Sequence, residues 1–399
     1  MTEAKAQPGL DGVVVAQTVL SEVDGEAGRL IVRGHPIEEL AGSAPFEEVA
    51  RLLWEGLAPA APDAPRTAAE VQAALGRARA VAFASVAALR GTVAGDRGAA
   101  GGGAGSGAGS GDGDGGDGGA LPAVPALRLG LASLRSSAGA GPNAGSSAGG
   151  DHLLATAAIP VFVAAFERTR RGLPPVAPDP ALGQAADFLR MLRGEPAAPA
   201  EEAALDAYLV TVAEHGMNAS TFTARVVAST RAGVLPAVIA ALCALEGPLH
   251  GGAPGPVLDM LDAVRGGADV RAWLAAELAA GRRLMGFGHR IYRVRDPRAD
   301  VLKAQVARLR AGDASGRLAL AEAVEREALA ALAAHRPGRR IDTNVEFYTA
   351  VLLDALRIDR GLFTSVFAAG RAAGWTAHVF EQERANRLIR PQSEYVGPR

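Results

Sequence analysis

The chain has 399 residues, of which 49% are hydrophobic but only 5% aromatic, and its formal net charge is -2. That length allows more than one domain, with cores filled mainly by Ala, Leu and Val, and the near-neutral balance gives no support to a nucleic-acid or membrane-surface role. A single cysteine, Cys243, excludes an internal disulfide, which suits a cytoplasmic protein.

The first eight residues carry no apolar run of the kind a signal peptide needs. Residues 13–15 (Val-Val-Val) and 30–32 (Leu-Ile-Val) are β-rich, with Asp24-Gly25 between them as a turn signal, so a small hairpin or a few short strands is expected. Ser43 and Pro45 then mark a helix start, and Phe46, Val49, Leu52 and Leu53 form an apolar stripe up to Gly56. Between residues 95 and 119, 14 of 25 positions are Gly, which predicts a flexible surface insertion with almost nothing to bury. A phosphate-cradling reading fails there, because no strand precedes the stretch and no Lys-Ser/Thr follows it. A second loose patch covers residues 136–150.

Two apolar runs of 14 residues, 153–166 and 232–245, are too short to span a bilayer and suit buried helices. The first contains Pro160, and the second contains Cys243, which is therefore expected to be a buried structural thiol. Leu205, Leu209 and Val212 share a helical face, and residues 269–282 and 315–335 read as further helices, the latter closed by Pro337-Gly338. With no βαβ alternation and no internal repeat, the architecture is predominantly α.

Three of the seven histidines sit in Gly-rich or polar breaks, where side chains can meet a ligand: His215 in Ala213-Glu-His-Gly-Met-Asn218, His250 in Gly247-Pro-Leu-His-Gly-Gly252, and His289 in Met285-Gly-Phe-Gly-His-Arg290. Their separations of 35 and 39 residues match no metal-ligand pattern. Arg298, in Arg293-Val-Arg-Asp-Pro-Arg298, and Arg390, in Leu388-Ile-Arg-Pro391, are further candidates. Arg371 lies among small residues in Ala368-Ala-Gly-Arg-Ala-Ala-Gly374, where a cation more often pairs with a carboxylate of protein or ligand.

Taken together, Gly247-Pro-Leu-His-Gly-Gly252, Gly286-Phe-Gly-His-Arg-Ile-Tyr292, Asp296-Pro-Arg298 and Asn344-Val-Glu-Phe-Tyr348 resemble the citrate synthase family. So do Asn218-Ala-Ser-Thr-Phe-Thr223 and Arg390-Pro391 with Tyr395-Val-Gly-Pro398. Order and spacing match as well, and the resemblance covers nearly the whole chain except roughly residues 92–150.

The resemblance implies a mostly helical, two-domain homodimer with a small N-terminal β element. Residues 1–250 and 352–399 would form the large domain and 251–351 a small, CoA-binding domain. It implies condensation of acetyl-CoA with oxaloacetate and hydrolysis of citryl-CoA to citrate and CoA, with no metal and no redox cofactor. By the family pattern His250 would hydrogen-bond the thioester carbonyl, the carboxylate at 346 would remove the α-proton, and His289 would polarise the 2-oxo carbonyl. His215, Arg298 and Arg371 would hold the oxo-acid carboxylates, Arg390 would reach in from the partner subunit, and Met285, Gly286, Phe287, Gly288 and Arg293 would lie along the CoA.

One position departs from the pattern: the usual Asp is Glu346, whose extra methylene moves the carboxylate by roughly 1.5 Å. Two alternatives follow. One is a 2-methylcitrate synthase using propionyl-CoA, since one methylene in an apolar pocket discriminates by only ~1–3 kcal/mol. The other is a weakly active or non-catalytic binding paralogue, for which Glu346 is the one supporting feature.

Overall fold

The structure is a computed structural model that describes residues 8–10, 12–62, 64–94, 121–135, 150–251, 255–266, 269–289, 291–309, 316–336, 338 and 341–398. The expected insertion at 95–119 and all of the second loose patch except Gly150 lie outside these residues.

The chain begins with a three-stranded antiparallel sheet, β1 (Ser21–Asp24), β2 (Arg29–Val32) and β3 (His35–Pro36), in the order β1-β2-β3. Ser21 pairs with Val32 and Asp24 with Arg29. The Asp24 side chain closes the β1–β2 turn by accepting the N–H groups of Glu26 (3.1 Å) and Ala27 (2.9 Å). Leu30 and Val32 face the core. Residues 13–15 are not a strand, contrary to the expectation from their composition: they pair with nothing in the sheet, and Val14 is 85% exposed. β-branched residues favour a pleated, half-buried surface, and here no neighbouring strand supplies one.

Helices then take over. A single turn, α1 (Ile37–Leu40), leads to α2 (Phe46–Trp54), which starts after Pro45 and buries Phe46, Val49, Ala50, Leu53 and Trp54. A Thr67/Glu70 capping box opens α3 (Ala68–Ala84). Next come α4 (Val86–Ala94), α5 (Ala123–Ser133) and α6 (Asp151–Arg170). Buried on almost every side, α6 is the core helix around which α3, α4, α5, α7 (Gln184–Arg193) and α16 (Phe363–Ala385) pack. α8 (Pro199–Val212) buries Leu205, Leu209 and Val212 as expected, and α9 (Ala219–Ser229) and α10 (Val234–Leu245) form a tight pair against α16.

Cys243 corrects the second expectation: on α10 it is exposed, with Arg128 Nη1 3.7 Å from its Sγ. Ala241, Leu242 and Leu245 take the core-facing stripe, and one residue along a helix turns the side chain by about 100°, so an apolar run does not bury all its members.

A second helix group comprises α11 (Gly255–Arg265), α12 (Val270–Ala279), α13 (Pro297–Leu309), α14 (Arg317–His335) and α15 (Val345–Ala355). Asp269 caps α12 through its side chain, as its position in the sequence suggests. This group packs largely on itself and meets the first mainly where α13 touches α8 and α1. No described helix is long and apolar enough to cross a membrane.

Candidate active site

The loop between α8 and α9 carries His215, and the irregular segment before α13 carries His289. Their rings lie edge to face, with centroids 6.0 Å apart. Tyr292 joins them, its hydroxyl 3.1 Å from His215 Nε2 and its ring 4.7 Å from that of His289. His215 is only 7% exposed. Burial, then the nearby cations of Arg298 and Arg371, hold its imidazole well below the ordinary range, so it is neutral at pH 7.

His289 Nδ1 faces the backbone N–H groups of Ile291 (3.0 Å) and Tyr292 (3.1 Å). The other ring nitrogen, Nε2, faces a donor as well. Arg298 Nη2 lies 3.2 Å from that nitrogen. An arginine always donates, so both His289 nitrogens face N–H groups and these contacts select neither tautomer. Burial and then the Arg298 cation push the His289 imidazole down to about 4.

The Arg298 guanidinium is buried and fixed by Asp296, with Nε 3.0 Å from Oδ1 and Nη2 2.9 Å from Oδ2. Asp296 also caps the start of α13 by accepting the Arg298 N–H (3.1 Å), and it accepts the Val345 N–H at the start of α15 (3.0 Å). Arg371 comes from the middle of α16 and is 1% exposed. Its Nε donates to Val212 O at 2.5 Å and its guanidinium covers the Phe367 ring at 4.9 Å. Arg371 makes no ion pair among the described residues, and burial pushes the group down to about 10, with the nearby Glu214 carboxylate opposing the shift. A buried cation held in this way is matched to a carboxylate brought by a ligand.

His250 ends the turn after α10, its Nε2 2.9 Å from Ser220 Oγ. Ser220 in turn accepts from Trp375 Nε1 (3.1 Å) and lies 2.8 Å from Asn218 Oδ1. The single Ser220 proton has two acceptors within reach. Donated to His250 Nε2, it leaves the imidazole proton on Nδ1, which has no partner among the described residues. Burial, then Arg371, pushes His250 down to about 4, so this ring too is neutral.

Glu346 stands in the first turn of α15. Asn344 caps that helix by accepting the Glu346 N–H (3.0 Å) and ties it to the His289 segment by donating to Gly288 O (2.7 Å). Gly286 O accepts the Asn344 N–H (2.9 Å), and Phe287 bridges Thr343. The Glu346 carboxylate has no hydrogen-bond partner among the described residues. Burial pushes it up to about 7, with Arg298 opposing and Asp296 reinforcing the shift.

The structure thus brings His215, His250, His289, Arg298, Arg371 and Glu346 into one electrostatic neighbourhood. A cleft of about 190 Å³ beside them is lined by Gly288, His289, Tyr292, Arg293, Asp342 and Asn344 among others. Of the remaining candidates, Arg293 is exposed at its rim and Met285 is half-buried. Phe287 turns its ring into the core against Phe347, leaving its backbone as the part a ligand could meet. Gly286 (φ +88°) needs its glycine, because a Cβ there would fall 2.9 Å from Phe347 Cβ. Arg390 is not brought to the cluster: it is exposed, and its neighbour Ile389 is anchored to Ser229 at the far end of α9 from Asn218.

Sequence reasoning quoted Tyr292, Asp296, Ser220, Asn218 and Asn344 within motifs without giving them roles. The two asparagines carried a legible signal, each preceding a helix as an N-cap. The long-range partners of the others carried none.

The family model described as "Citrate synthase, C-terminal domain" matches residues 9–97 and 119–392. The citrate synthase of Acidithiobacillus ferridurans is 35% identical over 410 residues, covering 100% of this chain and 97% of that protein. The 2-methylcitrate synthase of Mycobacterium tuberculosis is 36% identical over 397 residues, covering 98% and 90%. The crystal structure of citrate synthase from Thermotoga maritima superposes with a TM-score of 0.75 at 30% identity, covering 98% of this chain and 96% of that one. With motifs, helical architecture and a family match over most of its length all in agreement, the chain belongs to the citrate synthase family.

Proposed function

We propose that this protein condenses acetyl-CoA with oxaloacetate and hydrolyses the resulting citryl-CoA to citrate and CoA. The observation that carries the reading is the Glu346 carboxyl, without a hydrogen-bond partner among the described residues and raised to about 7, set among buried arginines and neutral histidines. A base near neutrality is matched to a weakly acidic carbon. Glu346 takes a proton from the acyl α-carbon while His250 donates through Nδ1 to the thioester oxygen, stabilising the enol. The enol carbon attacks the 2-oxo carbon, whose carbonyl is polarised by His289. His215, Arg298 and Arg371 hold the two carboxylates. Water then splits the thioester, giving citrate and CoA thiol.

In the same reading CoA lies along residues 285–288 and Arg293, and residues 251–351 form a small domain over a large one built from 1–250 and 352–399. The protein acts as a cytoplasmic homodimer in which Arg390 completes the partner's site. The tail around Arg390 supports that arrangement: Leu388, Tyr395 and Val396 are 60%, 65% and 88% exposed in the single chain, an apolar surface suited to cover by a second copy.

Propionyl-CoA is a second candidate acyl donor, because a 2-methylcitrate synthase is as similar to this chain as the citrate synthases are. Steady-state release of CoA thiol with acetyl-CoA and propionyl-CoA side by side, each with oxaloacetate, tests both. Release with the acetyl donor is expected. A higher kcat/KM for the propionyl donor would reassign the acyl specificity, and no release with either would reject the enzyme.

A further inference from the structure

The two histidines assigned to the oxo acid stand on different helix groups, His215 beside α8 and α9 and His289 ahead of α13. One short strand and the turn after it touch the segments that carry them. At its first residue, the Ser21 hydroxyl donates to Glu214 Oε1 (2.8 Å) and accepts from Gly216 N–H (3.1 Å), on either side of His215. The same Glu214 oxygen takes the Gly216 N–H at 2.7 Å, and His378 Nε2 lies 3.1 Å away. Arg225 Nη1, always a donor, lies 3.0 Å from His378 Nδ1, so His378 presents its Nε2 proton to Glu214. Glu214 is thereby fixed from three elements while fully buried. Val23, two residues along β1, packs over Gly216, where a Cβ would lie 3.1 Å from its Cγ2.

The turn that follows β1 meets the other wall. Gly25 O accepts the Arg293 N–H at 2.8 Å, and a Cβ on Gly25 would fall 2.3 Å from Ile291 O. Ile291 and Tyr292 are the residues whose N–H groups set the His289 ring. From Ser21 to Gly25 an extended chain spans about 13 Å.

Resting on the proposed condensation, we propose that the N-terminal β-hairpin is a positioning element of the oxo-acid site. It holds the His215 loop through Ser21 and Glu214, and the His289–Tyr292 segment through the Gly25 backbone, so that the two histidines and Arg298 keep one spacing. Nothing in the hairpin touches the reacting atoms. Its effect is on the binding of the dicarboxylate.

Gly25→Ala tests this, because Gly25 does not have the left-handed backbone that would strain an alanine, and the atoms nearest the added methyl belong to Ile291. The expected result is a weakening of oxaloacetate binding by about tenfold or more, read as Kd by calorimetry and as KM, since ångström-scale misplacement of binding groups is costly. The KM for acetyl-CoA should stay within about twofold of wild type and the unfolding midpoint within a few degrees. Ser21→Ala, which introduces no clash, should weaken oxaloacetate by about threefold in the same selective way, and it decides the matter if the Gly25 variant does not fold. Glu22→Ala, on the same strand but with its side chain paired, among the described residues, to exposed Arg29, is the control and should change neither constant. Unchanged oxaloacetate affinity in the folded variants, or an equal rise in both KM values, overturns the positioning role. Absence of CoA release in the wild type instead overturns the underlying reaction, while calorimetry with oxaloacetate still reads the hairpin's effect.

Discussion

Asp296 and Glu346 open adjacent helices that touch, yet their surroundings could hardly differ more. The Asp296 carboxylate is saturated with hydrogen bonds, from a bidentate Arg298, the Arg298 N–H and the Val345 N–H. Glu346, one residue beyond Val345, offers only its own N–H to a cap, and its carboxylate has no hydrogen-bond partner among the described residues. The first region fixes charge and geometry before any ligand arrives. The second leaves a group whose proton affinity is raised to about 7 by burial. A single cleft therefore separates architecture from proton transfer by how completely each acid is hydrogen-bonded, and identity as Asp or Glu is secondary to that.

The sharpest way to break this contrast is Glu346→Gln. The amide keeps the shape but cannot accept a proton, so single-turnover condensation with acetyl-CoA under saturating oxaloacetate should fall by about 10³-fold or more, while oxaloacetate binding is retained. Condensation at the wild-type rate would move the base elsewhere, with Asp342 the nearest carboxylate in sequence. Asp296→Ala should do the opposite kind of damage. It leaves the Arg298 guanidinium buried without its counter-ion and should lower the free energy of unfolding by about 3–5 kcal/mol in urea titration. A stability loss below about 1 kcal/mol would show that Asp296 is not the structural anchor described above.

The smallest effect is the most continuous. The base acts only when ionised and its pKa in the free protein is about 7, so kcat/KM for the thioester should fall about tenfold per pH unit below that point. Neutral His250 and His289, at about 4, contribute no titration until far lower pH. A profile flat from pH 8 to about 5.5 would contradict the raised Glu346.

Much of this molecule was legible in its sequence. The helical periodicity of residues 205–212, the helix starting near Asp269, the Asp24 turn and the Gly-flanked histidines all announced themselves, because each depends on neighbours within four residues. Cys243 and residues 13–15 were misread for one reason. Apolar character at a position does not say whether a partner surface will be there to cover it.

By itself the sequence determined which residue types could do the chemistry: three histidines in breaks between helices, arginines in apolar or Asp-Pro settings, and a glutamate in an Asn-capped turn. Only the tertiary structure decided that Asp296 is spent on Arg298 while Glu346 is spared, that Ser220 and Trp375 stand behind His250, and that Ser21 and Gly25 reach two loops some 200 and 270 residues away. Proton affinity and ring orientation are set by burial and by hydrogen bonds from groups distant in the chain. Those quantities do not exist until the chain has folded and brought such groups within about 3 Å.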